Sequence, residues 1–146
     1  MDTSQNNTFK TTDFNVQVTN VGSQRVCFEW QGVLRSPNES QQAPVELTDF
    51  LQSKTRKGDH YIENIEFHFE EVHEIRSNLT QYLIYMLREM LLKHKSITLF
   101  HSSRISQRKN FELIKKTMEA LKQKGTFNGK DSIIEFKQVE HRQAAN

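Results

Sequence analysis

Cysteine, proline and glycine are scarce in this chain, and long apolar runs are absent. The 146 residues include one cysteine, two prolines and five glycines. The single Cys27 excludes an internal disulfide framework and a CxxC metal knuckle, and its place inside a predicted strand indicates a structural thiol.

No segment approaches the roughly 20 apolar residues that a membrane-spanning helix needs. The first residues have no apolar stretch after a basic start, as a secretory signal would have. We therefore expect a cytoplasmic protein without direct membrane insertion.

Neither positive nor negative charge is in large excess. Twenty Lys and Arg against 18 Asp and Glu leave a formal charge of +2, which excludes a globally basic nucleic-acid binder. The chain has no GxSxG, GxGxxG or GxxxxGK[ST] motif, so we predict no enzyme. Its six histidines lack the HExxH spacing, and we expect neither a metal nor a cofactor. His68 is predicted to lie on the polar face of a strand, beside Glu66 and Glu70.

The residues that are present predict one small folded domain. Hydrophobic residues make up 35% of the chain and include ten phenylalanines, which is too aromatic for a disordered chain. The Asn-, Gln- and Thr-rich start predicts a disordered arm over residues 1–13. A single domain is expected over 14–139, followed by a flexible tail over 140–146.

Hydrophobic periodicity predicts five strands and three helices. Alternating apolar residues predict strands at 14–18, 26–30, 65–69, 96–100 and 133–139. Steps of three and four predict helices at 79–91 and 111–121, and Pro44 predicts an earlier helix that ends at the KGDH segment. Ser77 is predicted as the N-cap of the second helix. The order β-β-α-β-α-β-α-β predicts an α/β fold with a mixed sheet, an opening antiparallel hairpin and helices mainly on one face.

Two segments carry a family resemblance. VCFEWQGVLR ends in a turn at residues 32–35, and IEFHFEEVHEIRSNLTQYL runs from a strand into a helix at residues 75–78. In element order and length over about 14–139, the chain resembles the STAS family, the anti-sigma-factor antagonist-like domains of bacteria. Residues 75–78 fall on the family's Asp-Ser-Ser-Gly helix start. Arg76 stands in place of the family's Asp, Asn78 in place of its second Ser, and Leu79 in place of its Gly.

The resemblance implies a non-enzymatic signalling regulator that works by partner switching. The position that a partner kinase phosphorylates in the family corresponds to Ser77. The implied partners are a regulatory protein such as an anti-sigma or serine kinase, a PP2C-type phosphatase or a diguanylate cyclase. Ser77 has two open interpretations at this point: it caps the helix only, or it caps the helix and is also phosphorylated.

The partner surface is expected around Ser77. Its residues on the strand-to-helix turn are Glu74, Arg76, Asn78 and Gln81, and a second edge at 102–108 contributes Arg104 and Arg108. An acidic stretch precedes Ser77 and a basic one follows it, which is typical of solvated faces or of a docking surface for a protein. We expect a monomer or a weak homodimer.

Two other classes of function stay open. The chain is alternatively a STAS-like ligand-binding domain, or an accessory subunit of a lipid-transport or other membrane complex, with Ser77 only a helix cap. An enzyme of unknown type is the third hypothesis, and its activity would depend on His68 or Glu70.

Overall fold

The structure is a computed structural model that describes residues 7–22, 24–35, 42–123 and 133–139. Within these residues the chain is of the mixed α/β class. The strands are β1 (Thr8–Lys10), β2 (Phe14–Val21), β3 (Arg25–Leu34), β4 (Arg56–Lys57), β5 (His60–Tyr61), β6 (Asn64–Ile75), β7 (Ser96–His101) and β8 (Ile133–Gln138). The helices are α1 (Gln42–Lys54), α2 (Ser77–Leu91), α3 (Ser103–Ser106) and α4 (Lys109–Gln123). The tail predicted over 140–146 lies outside the described residues.

Six of the strands form one mixed sheet in the order β1-β2-β3-β6-β7-β8. β1, β2 and β3 pair antiparallel, whereas β3, β6, β7 and β8 are parallel to one another. The predicted opening hairpin and the parallel remainder of the sheet are therefore confirmed. Parallel strands need crossover connections, which here contain α1, α2 and α4.

The prediction of a disordered arm over residues 1–13 is wrong at Thr8–Lys10, which form β1. This short strand pairs antiparallel with β2, and Phe9 lies opposite Val16. The Phe9 ring contacts those of Phe14 and Phe50, at centroid distances of 6.2 and 5.9 Å. Backbone pairing and one partly buried aromatic ring thus order a segment whose composition is polar. Residues 1–6 lie outside the described part of the chain.

The first helix ends earlier than predicted. Pro44 lies in the first turn of α1, and Leu47 and Leu51 are buried, as expected. The KGDH segment does not end this helix, because α1 stops at Lys54 and the segment forms the turn of the β4–β5 hairpin. Gly58 has a φ of 60° there, a left-handed conformation that glycine adopts at no steric cost.

The large sheet buries one face and leaves the other partly exposed. Along β6, Ile65, Phe67 and Phe69 are buried, and they alternate with the half-buried Glu66 and His68. The buried side chains join a core that also contains the apolar residues of α1, α2 and α4. Burial of one face is what the alternating strand pattern predicted.

The only tryptophan lies at the centre of this core. Trp30 on β3 is fully buried. Its ring contacts Phe14, Phe67 and Phe69 at centroid distances of 6.4, 5.6 and 5.2 Å. The indole Nε1 has no hydrogen-bond partner among the described residues. Trp30 is therefore held by aromatic packing rather than by a polar contact.

Candidate functional site

The junction between β6 and α2 is where the predicted phosphoacceptor lies. Arg76 has extended backbone angles, φ −84° and ψ 156°, and is the N-cap of α2. Its carbonyl accepts from the Thr80 N–H at 3.1 Å and from the Thr80 hydroxyl at 2.8 Å. The prediction that Ser77 is the N-cap is therefore wrong by one residue, because the first helical hydrogen bond already ends on Arg76. The Arg76 side chain makes no capping hydrogen bond.

Ser77 is the first residue of α2 and is exposed to solvent. Its hydroxyl has no hydrogen-bond partner among the residues that the structure describes. The helix dipole favours negative charge at this end of the helix. A phosphoryl group on Ser77 would therefore lie in a favourable field.

The ion pair between Arg76 and Glu74 lies directly before Ser77. The Arg76 Nε and the Glu74 carboxylate are 3.2 Å apart, and both side chains are about half exposed. An exposed pair of this kind stabilises the fold by less than about 1 kcal/mol. Arg76 is therefore available to exchange Glu74 for a doubly charged phosphate at little cost.

The segment after β7 forms the second predicted edge. Ser102 caps α3 by accepting from the Ile105 N–H at 3.3 Å. The exposed Arg104 donates to Nδ1 of His73 on β6 at 3.3 Å. This contact fixes the α3 segment against β6, close to the strand end that leads to α2.

The predicted surface residues are thus brought together in part. Glu74 and Arg76 are in direct contact, and Arg104 reaches β6 through His73. Asn78 and Gln81 are exposed on α2, three residues apart and therefore neighbours on the helix surface. Arg108 is exposed as well, but among the described residues no hydrogen bond joins Ser77 to Arg104 or Arg108.

A second polar cluster lies on the half-buried face of the sheet. Cys27 on β3 is the register partner of Glu66 on β6, and His68 follows two residues later on the same face. The Cys27 thiol donates to Glu66 Oε1 at 3.3 Å, and His68 Nε2 lies 3.0 Å from the same oxygen. The other His68 nitrogen, Nδ1, is 3.4 Å from Glu70.

The environment of this cluster determines its protonation. Burial, together with the Glu66 carboxylate beside it, raises the pKa of Cys27 to about 11. Burial alone would raise the pKa of Glu66, but hydrogen bonds from His68 and Cys27 and the charge of Arg25 lower it below the usual value. A thiol held protonated in this way is a poor nucleophile. Cys27, Glu66 and His68 nevertheless offer one ligand atom each within 4.8 Å of one another, which is the chemistry of a metal site.

Sequence reasoning named each member of this cluster but missed their combination. Metal motifs are recognised by short spacings along one element, whereas Cys27 and Glu66 are separated by 39 residues. The available signal was strand pairing: once β3 and β6 are neighbours, Cys27 and His68 must share the polar face.

A cavity of about 160 Å³ lies between α1, α2 and the β4–β5 hairpin. Tyr61 and Tyr85 line it together with Met86 and Met90 of α2. Two cations lie over the Tyr61 ring, Arg56 at 5.3 Å and Lys93 at 5.7 Å from its centroid. The cavity therefore combines an apolar wall with a rim of net positive charge, because Arg56 and Lys93 outnumber the Glu89 carboxylate that also lines it.

None of the described helices combines the length and the apolar character that crossing a membrane requires.

No protein-family model, no curated protein and no solved structure matches this chain.

Proposed function

We propose that the protein is a non-enzymatic signalling regulator that acts by phosphorylation-controlled protein binding, in the manner of a STAS-type anti-sigma-factor antagonist. Ser77 is the phosphoacceptor in this proposal. The observation that supports it most directly is the exposed Ser77 hydroxyl at the first position of a 15-residue helix. This hydroxyl does not serve as the helix cap, so a kinase can reach it without breaking a capping bond.

Phosphorylation would act through local charge. A phosphate at Ser77 adds nearly two negative charges at the N-terminal end of α2, where the helix dipole favours them. Arg76 is one residue away, but it is already paired with Glu74 at 3.2 Å. A phosphate that recruits Arg76 would release Glu74, and both the sign and the arrangement of charge on this surface would change.

The partner surface carries both signs of charge. Glu74, Arg76, Asn78 and Gln81 surround Ser77, and Arg104 and Arg108 extend it along the neighbouring segment. Mixed charges of this kind suit a protein partner, because complementary pairs fix orientation and accelerate association. The partners in this proposal are an anti-sigma or serine kinase, a PP2C-type phosphatase or a diguanylate cyclase.

Affinity capture from the native host with phosphosite mapping tests this function. We expect Ser77→Ala to retain the captured partner, and Ser77→Asp to release it as the phosphorylated form does. Ser53, an exposed serine of α1, gives the matched control Ser53→Asp, which should bind like the unaltered chain. Identical partner capture by Ser77→Ala and Ser77→Asp, with no phosphate found on Ser77, would contradict the proposal.

The cavity between α1 and α2 favours a second candidate, a ligand-binding domain or an accessory subunit of a lipid-transport or other membrane complex. Its apolar wall and cationic rim match the two parts of an amphipathic anion. Constant association with a membrane ATPase complex, unchanged by Ser77→Ala and Ser77→Asp, would favour this candidate over the regulator.

A further inference from the structure

We propose that Cys27, Glu66 and His68 form a binding site for a thiophilic divalent cation, with zinc as the reference metal. The site lies on the half-buried face of the sheet, where it joins β3 to β6. Sulfur, imidazole nitrogen and carboxylate oxygen are the ligand types that zinc takes in proteins. This inference is independent of the proposed function at Ser77, which lies nine residues beyond His68 and roughly 30 Å away along an extended strand.

The distances fit a metal after a small adjustment. Ligands at ordinary zinc bond lengths in a tetrahedron are about 3.6 Å apart for sulfur and oxygen, and about 3.4 Å for nitrogen and oxygen. The Cys27 Sγ and His68 Nε2 atoms lie 3.3 and 3.0 Å from Glu66 Oε1. These two separations must widen by a few tenths of an ångström, and the Cys27 and His68 atoms, which lie within 4.8 Å of each other, must come to about 3.6 Å apart to surround one ion. Rotation about the side-chain torsions supplies this adjustment.

The contacts of His68 orient it as a ligand. In the metal-free chain His68 Nε2 donates to Glu66 Oε1 at 3.0 Å. When a metal replaces this proton, Glu70, 3.4 Å from Nδ1, accepts the proton that remains on the other ring nitrogen. A carboxylate behind a ligating histidine is the usual outer partner of zinc sites. The imidazole also stacks on Phe100, at a centroid distance of 4.6 Å and an interplanar angle of 19°.

The charges also suit a divalent cation. Cys27 binds as the thiolate and releases its proton to solvent. The negative charges of Cys27, Glu66 and Glu70 are then matched by the divalent cation and by Arg25. Arg25 contacts Glu66 through Oε2, at 3.5 Å, so that Oε1 remains for the metal. Three protein ligands leave a fourth position for water, on the side open to solvent.

Cobalt(II) titration of the purified full chain tests the site without any variant. We expect saturation at one ion per chain, an intense sulfur-to-cobalt charge-transfer band, and the strong visible bands of four-coordinate cobalt that zinc then abolishes. Cys27→Ser keeps the size of the side chain and should lose the charge-transfer band. The proposal is overturned if the unaltered chain binds no cobalt, or if its spectrum lacks the thiolate band.

The zinc affinity of single variants, measured by competition with a chromophoric chelator, shows which residues contribute to binding. His68→Gln should abolish stoichiometric binding, whereas His60→Gln removes an exposed histidine of β5 and should leave it unchanged. Glu70→Gln, which alters only the positioning of His68, should weaken the affinity about 10- to 100-fold. Circular dichroism of the metal-free variants controls for folding. Equal zinc affinity of His68→Gln and His60→Gln would overturn the assignment.

Discussion

Asn110 and Ile75 are joined by a hydrogen bond in which the Asn110 side-chain amide donates to the Ile75 carbonyl at 2.7 Å. Asn110 lies in the first turn of α4, and Ile75 is the last residue of β6. This bond ties the start of one helix to the strand end from which α2 begins. The position of Ser77 is therefore set in part by α4, although the two segments are far apart in sequence.

Removal of this amide should destabilise the protein. The Ile75 carbonyl is half-enclosed and would lose its side-chain donor, so we expect Asn110→Ala to lower the free energy of unfolding by about 1–2 kcal/mol. Urea denaturation measures the change. Gln107→Ala, which truncates an exposed side chain nearby, should change the stability by less than about 0.5 kcal/mol. Equal stability of the two variants would contradict this role of Asn110.

Two glycines with positive φ should differ in their tolerance of alanine. Gly32 has a φ of 104°, and a Cβ there would lie 2.4 Å from the Asp13 carbonyl oxygen. Gly58 has a φ of 60° with no atom within 4 Å of the added Cβ. We expect Gly32→Ala to cost about 3 kcal/mol or more, since backbone must move, and Gly58→Ala about 1 kcal/mol. Chemical denaturation of both variants measures this difference, and equal costs would refute it.

The hydrogen bond between Tyr82 and Thr48 joins α2 to α1 at 2.6 Å. Thr48 donates to the Pro44 carbonyl at 2.7 Å, so Tyr82 is the donor to Thr48. Tyr82→Phe should lower the free energy of unfolding by about 1 kcal/mol. Tyr85→Phe is the matched control, because the Tyr85 side chain is exposed and should lose nothing measurable.

Tyr82 also makes the stability depend on pH in the alkaline range. Burial raises its pKa from 10 in the unfolded chain to about 12. The folded state therefore holds this proton more tightly, and the stabilisation is complete below pH 10 and is lost as the pH rises towards 12. Tyrosinate absorbance and denaturation at alkaline pH measure the effect. The loss should be smaller in Tyr82→Phe, and an unchanged alkaline slope would contradict the assignment.

His94 should produce a pH dependence of the opposite sign. Burial, with a smaller contribution from Lys93, lowers its pKa below the ordinary 6.5, against the raising effect of its hydrogen bond to Ile62. That bond, from Nδ1 to the carbonyl, is 2.6 Å long. A lowered folded pKa gives stability that is complete above pH 6.5 and is lost as the pH falls through the folded pKa.

Denaturation between pH 7.5 and 5 measures this contribution. We expect His94→Asn, which keeps a donor for Ile62, to show a shallower acid slope than the unaltered chain. His101 is also buried and its pKa is also lowered by burial, so part of the slope should remain until both histidines are replaced. An acid slope that survives both replacements would contradict the assignment.

Local patterns predicted the helices better than the sites. The apolar period of α2 is contained within one element, so Leu83 and Leu87 could be placed on its buried face from sequence alone. The helix start was displaced by one residue, because Ser77 is a common capping type but the Arg76 carbonyl accepts the first bond. Residue preference describes average helices, and the geometry of a cap depends on how the preceding strand ends.

Contacts between distant segments could not be read from sequence. The proximity of Cys27 to Glu66 depends on the register of two parallel strands, which is set by the whole sheet. β1 was missed for a related reason: Thr8–Lys10 gain order from pairing with β2, and of the three only the partly buried Phe9 packs against the core. Strand pairing through the backbone cannot be recognised from the amino-acid composition of the segment.

The central position of Trp30 gives the protein a spectroscopic probe of its own. Because it is the only tryptophan and lies among Phe14, Phe67 and Phe69, its fluorescence should be blue-shifted in the folded state and move to longer wavelength on unfolding. Emission from one residue that touches β2, β3 and β6 reports whether the sheet is intact. The stability changes expected for Asn110, Gly32, Tyr82 and His94 variants can thus be followed without a label.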